Sequence, residues 1–394
     1  MQKTDIDKQI EIIKRGAVQI ISEEELKKKL QESIRTKRPL NIKAGFDPTA
    51  PDIHLGHTVL LRKMRQFQEL GHRVIFLIGD FTAQIGDPTG RSEKRKQLSK
   101  EEILQNAATY KKQVSKVLDV NKLTIVFNSE WFEKMSALDI LNLTTHATVS
   151  QILAREDFKQ RLSKKEDISL SEFMYPVLQG YDSMKLEADI ELGGTDQIFN
   201  LLMARDIQKD YGQVPQVIIT MPLLEGTDGV QKMSKSFANY IGINELASEM
   251  FGKIMSISDE LMMKYYELLT DEELPAIKKM HPKEAKLKLA QTIVAEYHFQ
   301  DAASQCRLEF ERVFSQKEAP QDIAIYKISS GKNTIMDILI TSGLVKTKNE
   351  ARRLIQQGAV TLDGAGINKE DTLISNEGIL KVGKRRFLRL LKKS

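Results

Sequence analysis

Short apolar runs bounded by glycine or proline alternate with amphipathic stretches over the first 240 residues. Residues 1–35 carry helical periodicity, and Ser22 and Glu25 stand three apart, as in a capping box. Leu40 to Phe46 reads as a strand broken by Asp47-Pro48-Thr49-Ala50-Pro51, and a helix follows from about Leu55 to Leu70, stopping at Gly71. Val74 to Ile78 is the continuous apolar run of a strand buried on both faces, and Leu123 to Phe127 and Val217 to Thr220 are further short strands. Strand–helix alternation predicts a doubly wound α/β parallel sheet with its site at the carboxyl ends of the strands. From Glu245 to Phe314 the pattern is helical, without a strand candidate. The expected order is a sheet domain with an N-terminal helical segment over 1–240, an α-helical domain over 241–317, a linker over 318–332 and a small α+β module over 333–394.

Charge changes this picture only once it is divided along the chain. The whole chain carries +5, but residues 331–394 hold 13 Lys/Arg against 6 Asp/Glu, and the remainder holds 46 against 48. A compact basic module on a near-neutral body is the composition of a nucleic-acid-binding appendage; a solubilising tail is the alternative. Its pattern is that of a folded unit. Thr334 to Leu344 has helical spacing, Thr347 can cap a helix over Lys348 to Gln357 that ends at Gly358, and Val360 to Ile367 reads as a strand and glycine turn. Ile379 to Leu391 alternates apolar and basic residues. Two small helices presenting Lys346, Lys348, Arg352 and Arg353, then a basic hairpin with Lys384, Arg385 and Arg386, resemble an S4-type RNA-binding domain.

Composition excludes several classes. Apolar residues make up 41% and charged residues 29%, and no apolar run approaches the ~18 residues of a membrane span. The first residues lack a secretory apolar segment, and the single Cys306 offers neither an internal disulfide nor a zinc pair. A cytoplasmic protein without membrane contact is expected.

Two elements speak for nucleotide chemistry in a chain with neither a P-loop nor a dinucleotide fingerprint. His54-Leu55-Gly56-His57 opens a helix, where backbone N–H groups favour anionic oxygens, and the two histidines share a face. Gly56 leaves room for a flat base against the backbone. An ordinary polar helix face or a metal pair would use the same residues, although no third ligand sits nearby. Lys232-Met233-Ser234-Lys235-Ser236 follows a glycine-flanked stretch, and its two lysines can track phosphate charge as it moves; a solvated charge cluster is the bland alternative. A third element, Tyr175, Gln179 and Asp182, falls at i, i+4 and i+7 on one helix face and can line an apolar pocket or meet solvent. Asp182 can accept a hydrogen bond from a phenol, and Tyr175 and Gln179 can meet an ammonium. Gly193-Gly194-Thr195-Asp196-Gln197 follows at a strand–helix turn, where small residues admit a ligand and Asp196 can bind ribose hydroxyls.

HLGH and KMSKS together resemble the class I aminoacyl-tRNA synthetases. With Lys43-Ala-Gly-Phe-Asp47-Pro-Thr49-Ala, Gly86-Asp87-Pro88, the Tyr175/Gln179/Asp182 stripe, GGTDQ and the S4-like tail in that order, nearly the whole chain resembles the tyrosyl-tRNA synthetases. The resemblance implies a Rossmann-like catalytic domain, an α-helical domain facing tRNA and an S4-like domain. It implies activation of L-tyrosine with ATP to tyrosyl-adenylate plus pyrophosphate, then transfer of the tyrosine to the 3′ end of tRNA(Tyr). Asp87, Tyr175 and Gln179, with Gln197 nearby, would hold the tyrosine ammonium, and Asp182 its hydroxyl. Thr49 and His54 would stabilise phosphates, with His57, Gly194 and Asp196 near the ribose and Asp47 and Gly56 on the ATP side. Lys232 and Lys235 would contact pyrophosphate, joined by Arg91 and Arg95, whose loop reads equally as a solvated charge run. Mg²⁺ would arrive on ATP rather than in a protein-bound metal site, and the family implies a homodimer. Many bacterial members carry a hydroxyl-reading tyrosine where this chain has Lys43 and a cysteine where it has Ala44, so hydroxyl reading would rest mainly on Asp182. A tryptophan enzyme or a non-catalytic RNA-binding scaffold are the rival readings; the stripe speaks against the first, and intact HLGH and KMSKS against the second.

Overall fold

A computed structural model describes residues 6–48, 52–89, 99–315, 324–328, 333–345, 347–383 and 386–392. It divides into two compact units, residues 1–303 and 304–394.

The first unit is built on a six-stranded sheet: β1 (Gln19–Ile21), β2 (Asn41–Phe46), β3 (Arg73–Ile78), β4 (Leu123–Phe127), β5 (Ile190–Gly194) and β6 (Val217–Met221). Their order is β1-β6-β5-β2-β3-β4. β2 to β6 are parallel to their neighbours, and β1 runs antiparallel along the β6 edge. Val74 to Ile78 of β3 are buried, as their continuous apolar run requires. The chain winds outward from β2 to β4 on one side and from β5 to β6 on the other, so the direction of winding reverses between β2 and β5. There the register pairs only Ile42 with Ile190 and Lys43 with Glu191. Beyond that rung the two strands part, and their carboxyl ends open the crevice in which doubly wound sheets bind ligands.

Two sequence expectations need correction in the N-terminal segment. Residues 1–35 are not continuously helical: a helix over Ile6–Lys14 gives way at Gly16, whose φ of 68° suits glycine, to β1, and a second helix runs over Glu23–Thr36. The Ser22 hydroxyl accepts from the Glu25 amide at 3.1 Å, but the Glu25 carboxylate turns to Arg205 at 2.8 Å instead of closing a capping box. β1 is a three-residue edge strand, too short to carry its own periodicity. Helices over Ala247–Ser256, Asp259–Leu269 and Leu274–Ile277 follow the sheet, and the helical segment Pro282–Ser315 is interrupted at Phe299, with φ 67° and ψ 161°.

The second unit has its own five-stranded sheet: β7 (Ile325–Ile328), β8 (Val360–Leu362), β9 (Ala365–Gly366), β10 (Gly378–Val382) and β11 (Arg386–Lys392), in the order β7-β11-β10-β8-β9. Helices Ile335–Thr341 and Lys348–Gln356, capped by the Thr334 and Thr347 hydroxyls, bury Ile335, Ile338, Leu339 and Ile355 with Leu380 and Leu390 of the sheet. β7 falls inside the stretch read as a linker and pairs in parallel with β11.

Candidate active site

The crevice between β2 and β5 leads into a cleft of about 580 Å³. One wall is the helix Leu170–Lys185, which crosses the helix Ile198–Asp210 at Gly180; a Cβ there would lie 2.6 Å from Ile207 Cδ1 and 3.2 Å from the Ala204 backbone. That close crossing turns the face carrying Tyr175, Gln179 and Asp182 into the cleft.

Asp182, 2% exposed, accepts from Trp131 Nε1 at 2.9 Å and Asn128 Nδ2 at 3.3 Å. Burial pushes its carboxyl up to about 7, against the opposing pull of Lys43 and the two donors. Tyr175 donates its hydroxyl to Asp47 Oδ2 at 2.9 Å, and Thr82 donates to Asp47 Oδ1 at 2.9 Å. Asp47, read as an ATP-side residue, is thus tied to the Tyr175 wall. Burial, reinforced by the Asp47 charge, holds the Tyr175 phenol well above its ordinary value, so it stays a donor. Asp87 Oδ1 accepts from the Thr89 amide and hydroxyl at 2.9 and 2.6 Å, while Oδ2 accepts from Gln197 Nε2 at 2.7 Å. Asn200 bridges Gln197 and Gln179, donating to both carbonyl oxygens at 3.0 Å.

The nucleotide elements converge on the same cleft. His54 caps the helix Leu55–Glu69, and its Nδ1 accepts from the Gly56 amide at 3.2 Å; His57 Nδ1 accepts from the His54 amide at 3.2 Å. A ring nitrogen that accepts from an amide carries no proton, so in the neutral form both imidazoles hold theirs on Nε2. Burial, with the neighbouring histidine and Lys235, depresses His54 to about 2, and burial with Lys235 takes His57 to about 4. Both are therefore neutral near pH 7. The rings lie 3.9 Å apart, and a Cβ on Gly56 would meet the His54 ring at 3.0 Å. Gly56 thus first serves the folding-back of His54.

The loop carrying Lys232 and Lys235 is tethered to this helix end: Leu55 donates to Ile241 O at 2.9 Å, and Met233 is anchored to Leu224 O at 2.7 Å. Asn239 holds the turn from within, accepting from the Ser234 amide at 2.8 Å and donating to Asp228 at 2.8 Å. Lys235 Nζ lies 2.7 Å from Asp52 Oδ2, and Lys232 Nζ 3.8 Å from Asp196 Oδ2. Burial raises the Asp196 carboxyl, with Lys232 opposing. Gly194 has no room for a side chain, since a Cβ would come 2.6 Å from Asp196 Oδ1.

His54, His57, Lys232, Lys235, Asp87, Tyr175, Gln179, Asp182, Gln197, Asp47, Gly56, Gly194 and Asp196 therefore line one cleft. Thr49, Arg91, Arg95, Lys346, Lys384 and Arg385 lie outside the described residues. In the second unit Lys348, Arg352, Arg353 and Arg386 are exposed; Arg352 pairs with Glu370 at 2.8 Å and Arg386 with Glu350 at 2.9 Å.

Residues 34–315 match the family model of class I tRNA synthetases (W and Y), and residues 315–389 match the tyrosine--tRNA ligase SYY-like C-terminal domain. The chain is 52% identical to the tyrosine--tRNA ligase of Desulfotalea psychrophila, over 99% of this chain and 100% of that one. The chain belongs to the tyrosyl-tRNA synthetase family. It is 53% identical to the tyrosine--tRNA ligase of Aquifex aeolicus, over 98% of this chain and 99% of the relative. A crystal structure of tyrosyl-tRNA synthetase complexed with L-tyrosine from Archaeoglobus fulgidus aligns with a TM-score of 0.62 at 25% identity, covering 77% of this chain and 100% of that one.

Several residues that line or support the cleft of this synthetase escaped sequence reading. Trp131 and Asn128 reach Asp182 from a loop and short helix after β4, with no motif around them. Arg155 and Asn200 lie behind the glutamines, and Asp52 sits two residues before His54, where an acidic partner for Lys235 was legible only as a stray charge. Among the described residues no group of three or more His, Cys, Asp or Glu side chains has the arrangement of a metal centre, and no helix is long and apolar enough to cross a membrane.

Proposed function

We propose that the cleft activates L-tyrosine with ATP, releasing pyrophosphate, and passes the tyrosyl group from the adenylate to the 3′ end of tRNA(Tyr). One observation carries this reading: a buried carboxylate held by an indole N–H lines the same cleft as His54, Gly56, His57 and the two lysines. Asp182 accepts a hydrogen bond from the phenol, and phenylalanine would leave this desolvated acceptor one hydrogen bond short. Asp87, Tyr175, Gln179 and Gln197 surround the ammonium. The substrate carboxylate is already ionised at neutral pH and attacks the ATP α-phosphorus in line, so no general base is required. That leaves positioning and charge stabilisation as the work of the protein.

His54, with Thr49, donates to phosphate oxygens, and His57, Gly194 and Asp196 receive the ribose, with Asp47 and Gly56 completing the ATP side. The neutral Nε2–H tautomers support donation rather than ion pairing. Lys232 and Lys235, with Arg91 and Arg95, follow the charge onto pyrophosphate. Mg²⁺ enters with ATP as part of the substrate. The 241–317 helical region faces tRNA, and the second unit binds it through Lys346, Lys348, Arg352, Arg353, Lys384, Arg385 and Arg386. The enzyme works in the cytoplasm as a homodimer; exposed Leu138, Leu141, Val149 and Leu162 on three consecutive short helices support an apolar self-interface.

Amino-acid-dependent ATP–pyrophosphate exchange, run across the standard amino acids, tests the reading. Exchange with tyrosine alone is expected. Exchange with tryptophan instead would select the sister specificity, and none with any amino acid would make the chain an RNA-binding scaffold. Light scattering on the purified chain tests the dimer.

A further inference from the structure

Behind the polar wall of the cleft lies a cation that no binding role yet uses. Arg155 is 4% exposed, and its guanidinium lies 4.8 Å from the Phe158 ring centroid and 5.4 Å from that of Phe199. It donates to Asn200 Oδ1 at 3.0 Å, to Thr89 Oγ1 at 3.0 Å, and to both carboxylate oxygens of Asp157 at 3.0 and 2.8 Å. We propose that Arg155 is a positioning residue that fixes the polarity of the amide chain around the substrate ammonium. The inference rests on the tyrosine reading of the cleft.

The argument turns on Arg155 having donors and no acceptor. Asn200 must turn its oxygen to the guanidinium, so its nitrogen faces the glutamines and donates to Gln179 Oε1 and Gln197 Oε1, each at 3.0 Å. Gln197 then presents its own nitrogen to Asp87 Oδ2 at 2.7 Å. On the second branch the Thr89 oxygen is occupied by Arg155, which sends the Thr89 proton to Asp87 Oδ1 at 2.6 Å. Reversing any amide would set donor against donor. The outcome is a wall with three fixed acceptors, the Asp87 carboxylate and two glutamine oxygens, each oxygen retaining lone-pair capacity for an ammonium.

A buried cation so near a site for another cation would be self-defeating without cancellation. Asp157 supplies it with a two-pronged ion pair. Arg155 thus orders acceptors while adding little net field at the ammonium. None of these bonds involves Asp182, whose partners are Trp131 and Asn128, so the effect should be confined to the amine.

The test compares L-tyrosine with 3-(4-hydroxyphenyl)propanoate, which lacks only the ammonium, by calorimetric binding to the full chain. Wild-type protein that binds no tyrosine would overturn the cleft reading and this inference together. With wild-type binding in hand, Arg155→Met should weaken tyrosine by about tenfold or more, the scale of a lost hydrogen bond to a charged group, and weaken the analogue by less than about twofold. Equal weakening of both ligands would make Arg155 merely structural, and unchanged tyrosine binding would refute any role; either overturns the proposal. If Arg155→Met does not fold, Asn200→Leu decides by the same criteria, because it cuts the chain at its middle and leaves the Arg155–Asp157 pair in place.

Discussion

Lys43 and Glu191 face each other across the last paired rung of β2 and β5, their charged atoms 2.7 Å apart and their side chains 0% and 1% exposed. Ser183 Oγ accepts from Lys43 at 2.7 Å and donates to Glu191 at 2.8 Å, and Gln216 also donates to Glu191. A pair this buried gains little over apolar residues, but breaking it strands a charge in low dielectric. Lys43→Met should therefore destabilise the fold by about 3–5 kcal/mol in urea unfolding, and Lys43→Met with Glu191→Leu should recover most of that loss. A single variant as stable as wild type would refute the pair as a tightly coupled unit.

With Asp182 as the proposed reader of the substrate phenol, tyrosine recognition should depend on pH. Its carboxyl is raised from 3.8 to about 7 in the fold, chiefly by burial, so the folded state holds a proton that the unfolded chain has released. By linkage its stability contribution is full below about pH 3.8 and is lost as pH rises through about 7. Recognition runs the other way, because the ionised acid is the stronger acceptor for a phenol. Tyrosine-over-phenylalanine preference in exchange should rise between pH 6 and 8, roughly a unit either side of the transition. Trp131→Phe removes a donor to the carboxylate and should move the rise to higher pH. A flat preference over this range, with Trp131→Phe unchanged, would remove Asp182 as the reader.

Much of this site was legible because its chemistry is carried by compact motifs. HLGH and KMSKS are contiguous, and the Tyr175/Gln179/Asp182 stripe follows helical periodicity, so each announces its own geometry. Trp131, Arg155 and Asn200 act from three separate elements and meet only through the tertiary fold, which leaves no spacing to read. Lys43 stood out in the sequence only as a departure from the tyrosine that many family members carry, and its partner Glu191 is 148 residues away and is found only by strand register. The same reason hid β7. Four residues with one buried position have no clear alternation, and their strand identity comes from pairing with β11.

The two lysines of the KMSKS loop are held by acids before any ligand arrives. Lys235 pairs with Asp52, whose side chain is 51% exposed, so the contact is worth less than about 1 kcal/mol and ATP can displace it. Lys235→Ala should lower the rate of ATP–pyrophosphate exchange by about 10²-fold, with tyrosine affinity nearly unchanged, because the role proposed for it is an interaction that grows as charge moves to pyrophosphate. Asp52→Asn should change KM for ATP by less than about fivefold. An equal loss of exchange and tyrosine binding in Lys235→Ala would mean the lysine supports the fold of the cleft rather than the reaction.

The pairing of β7 with β11 decides where the second unit can be removed. A cut at residue 331 leaves β7 behind without β11, exposing a sheet edge and the otherwise buried Ile328. A cut after Ser315 removes the β7–β11 sheet whole, together with its core around Ile335, Leu339 and Leu380. The cleft residues all lie before residue 240, so this shorter chain should retain tyrosine-dependent exchange within about twofold while losing most tRNA charging. The loss should be mimicked in the full chain by high salt if, as proposed, exposed Lys348, Arg352, Arg353 and Arg386 act on tRNA phosphates. Charging that survives both the cut and the salt would leave the basic module without a role in tRNA binding.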